Sequence, residues 1–476
     1  MLLLSLGLFA YTLGAGATAF WPRPIEELRL ADGSLLLGTV RTVQDDPRSP
    51  PQLEVWTASP QGAGRRRRRL SPAQIVERTR PAHAVYLERA EWGPFIGWVE
   101  SVRHGQQVLA SGRVRAPKVL AARLPDARAR LEEIVALSAA QATPHPAGDG
   151  KTAARLAALL DEDAAWTAEL VADDGHRTTV RLSEIRWVVQ PNTLGPAGRL
   201  HFWLTRLLEY LSRPPLEPQG LGGALPALVG TVLLTLLLAV VAVPLGVLTA
   251  LYLAVFAREG LAARLVRLAL VNLAGVPSIV YGVFGLGFFV YGVGRRLDSA
   301  FFADALPAPT FGTGGILWAA LTLALLTVPV VVVSGEEAIR GVPRRLYEAA
   351  LAAGATRLDA LRHVVLPIAA PGLLTGIVLA LARASGEVAP LMLTGVAKLA
   401  PRLPVDGTFP YLHPSRKFMH LGYHAYELAT SSPDVEAARP LAFAALSLML
   451  LLVLVAHLLA ALLRRRLGRR IARLAP

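Results

Sequence analysis

Apolar runs from residue 224 onwards set the strongest limit on the fold, because each of the five is long enough to cross a lipid bilayer. A bilayer core about 30 Å thick needs about 20 helical residues, and a backbone inside lipid must satisfy its own hydrogen bonds, which favours α-helices. The mean hydropathy of +0.43 agrees with a membrane protein. The runs are residues 224–256, 268–293, 315–334, 368–396 and 441–463.

Residues 1–20 form a further apolar run that carries no charge. We expect an uncleaved anchor or a truncated first span that lacks its basic leader; the alternative is a signal peptide, because Ala17-Thr18-Ala19 resembles a signal-peptidase site. Counting this run gives six spans. The predicted fold class is therefore mainly α, a polytopic α-helical membrane protein, with a β-rich extracytoplasmic domain inserted between the first and second spans.

Arginines next to the apolar runs predict the orientation. Short loops rich in Lys and Arg stay in the cytoplasm, and three arginine clusters fall on one side if six spans alternate. Both termini, including the basic tail 464–476, are then cytoplasmic, and residues 21–214 are outside. The clusters are Arg258, Arg264 and Arg267; Arg340, Arg344, Arg345, Arg357 and Arg362; and Arg464, Arg465, Arg466, Arg469, Arg470 and Arg473.

Residues 21–214 are polar, rich in proline and free of spans, which predicts a folded α+β domain. Alternating residues around Asp32-Gly33 and around residues 173–175 predict two β-hairpins, which suggest an internal duplication. The aromatic-rich helix at 200–211 is expected to lie in the membrane interface, with packing on the preceding domain as the alternative. We interpret the five arginines 65–69 as a solvated loop tip, rather than a patch for anions or lipid headgroups.

Residues 336–367 place a charged segment with helical spacing between two apolar runs. Within 342–353 the apolar residues recur at i, i+3, i+4 and i+7, and Gly354 can take the left-handed conformation that ends a helix. Thr356 can cap a second helix, which is predicted to stop at Leu366-Pro367. Small residues on one face would let another protein approach closely.

This segment resembles the EAA coupling loop of ABC-importer permeases, in which a cytoplasmic helix pair docks into the ATPase subunit. Two further motifs, AGVPSIVYG at 274–282 and RASGEVAP at 383–390, are similar to those of phosphate-specific permeases of the PstA type. The resemblance covers roughly residues 222–463 and implies the type I (MetI-like) importer permease fold in a bacterial inner membrane. The coupling residues that it implies are Glu348, Ala349, Ala350, Gly354, Leu366 and Pro367.

The resemblance also implies partners: the phosphate ion, two copies of an ATPase subunit, a second permease subunit, a periplasmic phosphate-binding protein and membrane lipid. No enzyme activity and no cofactor is expected in this chain, since the ATPase subunit would bind the ATP. One alternative is a permease for sulfate or molybdate, against which the two phosphate-type motifs argue. Another is a membrane signalling or interaction protein, against which an intact coupling loop argues.

Arg383 and Glu387 are charged residues within an otherwise apolar run, so they must face protein, water or each other. Spaced at i and i+4, they are predicted to share a helix face and to form an ion pair. The pair either pins the helix or offers the Arg383 guanidinium to a passing phosphate while Glu387 balances the charge. Asn272, Pro277 and Ser278 are candidates for the same pathway, with helix–helix hydrogen bonding as the alternative.

Composition excludes several other classes. The chain has a formal net charge of +14, yet its aromatic residues lie in apolar runs and no nucleic-acid motif is present, so we expect no nucleic-acid partner. It has no cysteine, which excludes disulfides and thiolate chemistry. Its histidines lack metal-ligand spacing, and His413, His420 and His424 are expected to be surface residues of an outer loop.

Overall fold

In the computed structural model the chain forms two compact units. One unit is residues 20–208, and the other combines residues 1–19 with residues 209–476. The residues that the structure describes are 2–43, 50–58, 65–90, 93–141, 150–215, 222–400, 402–432 and 435–472.

The unit of residues 20–208 follows helix α1 (Leu2–Ala17) and contains all strands of the described residues. Helices α2 (Arg115–Gln141) and α3 (Gly150–Ala165) separate its eighth and ninth strands. The strands are β1 (Glu26–Leu30), β2 (Leu35–Val43), β3 (Gln52–Ala58), β4 (Arg65–Leu70), β5 (Ile75–Thr79), β6 (Val85–Arg89), β7 (Gly93–His104), β8 (Gln107–Ser111), β9 (Trp166–Val171), β10 (Arg177–Arg181) and β11 (Ile185–Val189).

The first five strands form an antiparallel sheet in the order β4-β3-β2-β1-β5. The turn from β1 to β2 lies at Asp32-Gly33, where Gly33 has a φ of +80° and Asp32 Oδ1 accepts hydrogen bonds from the backbone N–H and the hydroxyl of Ser34 at 2.9 and 2.6 Å. Glycine adopts such an angle without steric cost. The hairpin predicted here is confirmed.

The later strands repeat this topology in the order β10-β9-β7-β6-β11, with β8 paired to β7. A 3₁₀ turn precedes the last strand of both sheets, at Pro72–Gln74 and at Leu182–Glu184. An internal duplication is thus present in the topology, with β8, α2 and α3 inserted into the second copy. The two predicted hairpins are not equivalent, however, because the first joins strands one and two of its copy and the second joins strands three and four.

Glycines at matching places in the second strand support the duplication. A Cβ atom on Gly38 would lie 2.5 Å from the carbonyl oxygen of Trp56, and one on Gly97 would lie 2.3 Å from that of Val171. These distances leave no room for a side chain. Each copy therefore uses a glycine to bring its second strand against its third.

The interpretation of residues 65–69 as a loop tip is wrong, because they lie in the edge strand β4. The side chain of Glu54 on β3 is only 3% exposed, and its Oε1 lies 3.1 Å from Arg67 Nε and 3.6 Å from Arg69 Nε. A buried carboxylate needs charged partners, and alternate residues of a strand share one face. Part of the arginine run thus neutralises a buried acid.

Helix α4 (Pro196–Ser212) covers the predicted interfacial helix and packs on the second sheet. Phe202 meets Trp187 edge to face, and Arg206 lies 4.4 Å above the Trp187 ring while its NH2 is 3.1 Å from Glu88. Helix α4 thus packs on the preceding domain, and its placement in the membrane interface stays a prediction. Leucines spaced four residues apart remain exposed on α4: Leu200, Leu204 and Leu208.

The other unit carries the apolar helices. Three π-helical turns continue them, at Tyr252–Phe256, Gly285–Gly294 and Leu361–Val365. The helices are α5 (Leu225–Leu251), α6 (Leu261–Ala274), α7 (Ser278–Phe284), α8 (Arg295–Phe301), α9 (Ile316–Arg340), α10 (Arg344–Ala352), α11 (Arg357–Ala360), α12 (Leu366–Ser385), α13 (Ala389–Thr394), α14 (Leu421–Thr430) and α15 (Val435–Ala472).

Five segments of the described residues are long and apolar enough to cross a membrane. The apolar part of Ile316–Arg340 is 67% buried, against at most 28% for any other span, so α9 is central to the packing of this unit. The spans are Leu225–Phe256, Ser278–Phe301, Ile316–Arg340, Arg357–Ser385 and Ala438–Arg466.

The predicted placement of the β-rich domain between the first two spans is wrong. Helix α1 has 16 residues and is therefore about 24 Å long, which is short of a bilayer core of about 30 Å. The β-rich region thus precedes the first of the five spans. Helix α1 packs along α15, where Ser447 Oγ donates a hydrogen bond to the carbonyl of Thr12 at 3.1 Å. The cytoplasmic N-terminus depended on a sixth span and stays a prediction.

Candidate functional site

A helical hairpin lies between the third and fourth spans, and its local structure follows the sequence. Helix α10 is followed by Gly354, whose φ is +89°, in the left-handed region that glycine favours. Thr356 then caps α11, because its Oγ1 accepts a hydrogen bond from the Asp359 backbone N–H at 3.2 Å. The predicted helix end at Gly354 and the predicted cap at Thr356 are confirmed.

The outer face of this α10–α11 hairpin is exposed. Glu348 is 61% exposed and lies 3.0 Å from Arg344, which is 90% exposed and one turn earlier on α10. Leu346 and Leu358 are 39% and 69% exposed, and Ala349 is exposed beside them. Apolar side chains ringed by charge are typical of a surface that another protein covers. The predicted coupling residues Glu348 and Ala349 are therefore accessible.

The inner face of the hairpin rests on the spans. Val342 and Tyr347 pack against a buried apolar cluster that also holds Leu253 of the first span and Ile339 of the third. Ala350 is half-buried. The hairpin is therefore in direct packing contact with the first and third spans.

The predicted helix stop at Leu366-Pro367 is wrong, because the chain stays helical from Arg357 to Ser385. Proline cannot donate a backbone hydrogen bond, and its ring clashes with the carbonyl four residues earlier in an α-helix. Here the wider π turn Leu361–Val365 directly precedes Leu366 and Pro367 and accommodates the proline. The hairpin is thus continuous with the fourth span.

The predicted run 268–293 is broken in the structure. Helix α6 ends at Ala274 with Gly275 as its cap, and Pro277, with φ −56° and ψ 135°, directly precedes α7. Asn272 is consequently an exposed residue of α6, outside the spans. Ser278 is half-buried and is the first residue of α7.

The predicted run 368–396 is broken as well, at its charged residues. Helix α12 ends at Ser385, Gly386 caps it, and α13 begins at Ala389. Glu387 therefore lies beyond the helix that carries Arg383, and the predicted ion pair on one helix face does not form. Arg383 is exposed, Glu387 is half-buried, and within the described ranges neither makes an ion pair.

The helices that follow the two breaks pack together. A Cβ atom on Gly282 of α7 would lie 2.7 Å from the Cα of Pro390 in α13. A Cβ on Gly285 would lie 2.2 Å from Thr322 Oγ1 of α9 and 2.9 Å from a methyl carbon of Thr394. The segments 274–282 and 383–390 therefore meet at Gly282 and Pro390.

Two of the outer histidines are not surface residues as predicted. His420 and His424 are 0% and 5% exposed, and burial lowers the pKa of each to about 4. His420 Nδ1 accepts a hydrogen bond from the Gly422 backbone N–H at 3.2 Å, which requires the neutral ring. The segments that bury them are distant in sequence, so no local signal could have indicated their burial.

His413 lies in an ionic network of the loop before α14. Its Nε2 is 3.0 Å from Asp406 Oδ1, and Arg416 donates a hydrogen bond to the same carboxylate. Hydrogen bonds from Thr408, Arg416 and His413 lower the pKa of Asp406 well below its usual range. No group of three or more His, Asp or Glu side chains suited to a metal occurs in the part of the chain that the structure describes.

Comparison with known proteins identifies relatives of the span-bearing half. Residues 242–469 match the family described as binding-protein-dependent transport system inner membrane component. Phosphate transport system permease protein PstA 1 of Mycobacterium tuberculosis is 37% identical over 206 residues, which cover 43% of this chain and 60% of that protein. The probable phosphate transport system permease protein PstA of Methanocaldococcus jannaschii is 33% identical, covering 40% of this chain and 63% of that protein.

The chain thus spans about 60% of the length of these relatives. Among solved structures, the methionine ABC transporter MetNI in an inward-facing conformation aligns with a TM-score of 0.35 and 20% sequence identity, covering 51% of this chain and 93% of that chain. What this chain is similar to is therefore judged from the sequence relatives and not from this structural alignment. They confirm the resemblance drawn from the motifs for residues 242–469.

Proposed function

We propose that this chain, whose residues 242–469 match the family of binding-protein-dependent transport system inner membrane components, is the permease subunit of an ATP-driven phosphate importer. The observation that carries the proposal is the exposed α10–α11 hairpin, which is continuous with the fourth span and packed on the first and third. Phosphate is favoured as substrate because several of the relatives are named phosphate transport system permeases.

In this proposal the ATPase subunit covers the outer face of the hairpin. Its groove would take the exposed Leu346 and Leu358, and Glu348 would offer a carboxylate at the rim. Closure of two ATPase copies would then move α10 and, through the continuous helix, the fourth span. Ala350, Gly354, Leu366 and Pro367 set the shape of this lever, and ATP stays on the partner subunit.

The substrate pathway is proposed to run along the two helix breaks. A charged side chain within a span must face protein or water, and Arg383 is exposed in the single chain. In the complex, Arg383 would face either a second permease subunit or the aqueous path between the two subunits. Its guanidinium can hold two phosphate oxygens at once, while the half-buried Glu387 limits how tightly a dianion is held. Ser278 and Pro277 would contribute from the α6–α7 break.

The arrangement in the membrane is proposed from the arginines and from α4. The hairpin and the loop after the first span carry arginines typical of the cytoplasmic side. On this basis we infer that the β-rich region and the outer loop 395–420 lie on the periplasmic side of a bacterial inner membrane. There they would meet a periplasmic phosphate-binding protein. The exposed leucines of α4 would face membrane lipid.

The test is uptake of labelled phosphate by vesicles that contain this chain, the ATPase, the second permease and the binding protein. We expect ATP-dependent uptake by the wild type and its loss in Arg383→Gln, with partial retention in Arg383→Lys, which keeps the charge without the fork. Uptake of sulfate or molybdate in place of phosphate would overturn the substrate. Normal phosphate uptake by Arg383→Gln would remove Arg383 from the pathway.

The coupling role is tested with a matched pair of variants on α10. Glu348→Ala and Arg344→Ala break the same exposed ion pair, but only the first removes the carboxylate. We expect Glu348→Ala to weaken ATPase binding and uptake, and Arg344→Ala to affect both less. Equal effects would assign the role to the ion pair. If both variants bound ATPase normally, docking would lie elsewhere, and a signalling or interaction protein would become the better account.

A further inference from the structure

A chain of polar contacts joins three helices on the side of the spans where the hairpin lies. Arg267 of α6 donates a hydrogen bond from Nε to Glu336 Oε1 of α9 at 2.9 Å and another from NH2 to the carbonyl of Leu253 at 3.1 Å. Arg340 NH2 approaches the same Glu336 oxygen to 3.0 Å. One guanidinium therefore bridges the first and third spans through a helix that belongs to neither.

The π turn at the end of the first span makes the carbonyl of Leu253 available. In an α-helix the backbone N–H of Ala257 would bond this carbonyl, but here it donates to Tyr252 instead, at 2.8 Å. Carbonyls at helix ends are commonly satisfied by basic side chains. The π turn thus leaves a hydrogen-bond acceptor for Arg267 at the end of the first span.

The junction is shielded from water. The side chain of Glu336 is 12% exposed and that of Arg267 is 27% exposed, so their attraction is screened less than that of a surface pair. By contrast, Arg344 and Glu348 on the hairpin are 90% and 61% exposed. Of the two pairs, Arg267–Glu336 is the one that joins different elements, since Arg344 and Glu348 both lie on α10.

The position of the junction connects it to the hairpin. Glu336 lies on the last turns of α9, eight residues before Arg344 at the start of α10. Ile339 on the same turns belongs to the apolar cluster against which Val342 and Tyr347 pack. The Arg267–Glu336 junction therefore lies beside the apolar cluster on which the hairpin packs, and it adds a polar connection from α9 to α6 and the first span.

We propose that the Arg267–Glu336 pair is a positioning device that transmits movement of the α10–α11 hairpin to α6 and the first span. This inference rests on the proposed transport function and deepens it. Neither residue contacts substrate or ATP in this scheme; the pair keeps three elements moving as one body. Its loss should therefore uncouple ATP hydrolysis from transport rather than abolish either binding event.

The experiment compares Arg267→Met with Arg264→Met in the reconstituted transporter, measuring phosphate uptake and ATP hydrolysis in the same vesicles. Arg264 lies one turn away on α6, is exposed, and makes no ion pair within the described ranges. We expect Arg267→Met to lower the phosphate transported per ATP about fivefold or more, the scale of typical coupling between sites. Arg264→Met should leave that ratio unchanged.

Two further variants keep the inference falsifiable if Arg267→Met fails to assemble. Arg267→Lys keeps the charge, but an ammonium group lacks the guanidinium geometry that bonds Glu336 and the Leu253 carbonyl together. We therefore expect its ratio of phosphate transported per ATP to lie between those of the wild type and Arg267→Met. Glu336→Gln should lower the ratio as Arg267→Met does. The effects of the two variants should be less than additive in the double variant, because both weaken the Arg267–Glu336 contact.

The outcomes separate this inference from the proposed function. A wild type that transports no phosphate would overturn the function; the ratio would then be measured with the sulfate or molybdate that it does transport. An unchanged ratio in Arg267→Met, a parallel fall of hydrolysis and uptake, or additive effects in the double variant would overturn the junction as a transmitting device.

Discussion

Gly354 occupies a backbone conformation that other residues adopt only with strain, since its φ is +89°. Replacing it by alanine should cost about 1–2 kcal/mol and loosen the turn between α10 and α11. We expect Gly354→Ala to lower the melting temperature in detergent and to reduce ATPase binding. Gly260→Ala is the control, because Gly260 has an extended φ of −163° and open space around its Cβ position. Equal melting temperatures for both variants would contradict the assigned strain.

The buried histidines predict a stability that depends on pH. Burial lowers the pKa of His420 and of His424 from 6.5 to about 4. Between these values the unfolded chain binds protons that the folded chain excludes, so the free energy of unfolding falls as the pH drops through this window. Above pH 6.5 both states are neutral and the effect vanishes. Across this window each histidine lowers the free energy of unfolding by up to about 3 kcal/mol.

This dependence is measured as the change in melting temperature between pH 7 and about 5, where unperturbed histidine titrates. His420→Gln should reduce the change, because an amide does not titrate. The control His83→Gln, at an exposed position of the other unit, should leave it as in the wild type. An unaltered slope in His420→Gln would show that other groups set the acid sensitivity.

Residues with local roles could be predicted from the sequence, and residues defined by burial could not. Gly354 and Thr356 act within four residues of their positions, so helix-ending and capping rules find them. His420 is buried by segments distant in sequence; one of them is α5, whose Thr231 Oγ1 accepts a hydrogen bond from Leu421 N–H at 2.9 Å. No local pattern carries that information.

At the scale of elements, the helical segment that follows the first break packs on α9 through a close contact at glycine. A Cβ on Gly285 would lie 2.2 Å from Thr322 Oγ1, whereas one on Gly287, two residues later in the same π turn, would meet nothing within 4 Å. We expect Gly285→Ala to cost about 1–3 kcal/mol through overpacking and Gly287→Ala to be nearly neutral. Melting temperatures of the two variants test this, and a tolerated Gly285→Ala would show that α7 and α9 separate easily.

The sequence predicted where apolar segments lie but not where helices end within them. Hydropathy is insensitive to backbone geometry, and Gly and Pro are common in spans because neighbouring helices satisfy the freed backbone groups. The runs 268–293 and 368–396 therefore read as single helices, although Pro277 and Gly386 interrupt them. The run 315–334 contains Pro329 and stays helical to Arg340. Tertiary packing decides between these outcomes.

In the β-rich region as well, the sequence predicted local turns but not features that depend on distant contacts. The Asp32-Gly33 turn was predictable because its geometry demands these residue types. The arginines 65–69 were not recognisable as a strand, since nothing local reveals the buried Glu54 that two of them neutralise. The duplicated topology likewise emerges from strand order rather than from the hairpins that first suggested it.

At the scale of the whole molecule, orientation is the property that the arginines predict and that sidedness labelling can test. The chain contains no cysteine, so single cysteines introduce the only thiol. Val76 in the β-rich region and Leu261 in α6 are 68% and 76% exposed. Neither is a site residue, so Val76→Cys and Leu261→Cys should keep the fold intact.

In intact cells with a permeable outer membrane, a membrane-impermeant maleimide should label Val76→Cys, and Leu261→Cys only after the inner membrane is opened. The reason is that α6 carries Arg264 and Arg267 in the short loop after the first span, which favours the cytoplasm, while an odd number of spans separates the two positions. Full labelling of both by a permeant maleimide is the control for reactivity. Labelling of Leu261→Cys in intact cells, with Val76→Cys protected, would reverse the orientation and place the hairpin beyond the reach of a cytoplasmic ATPase.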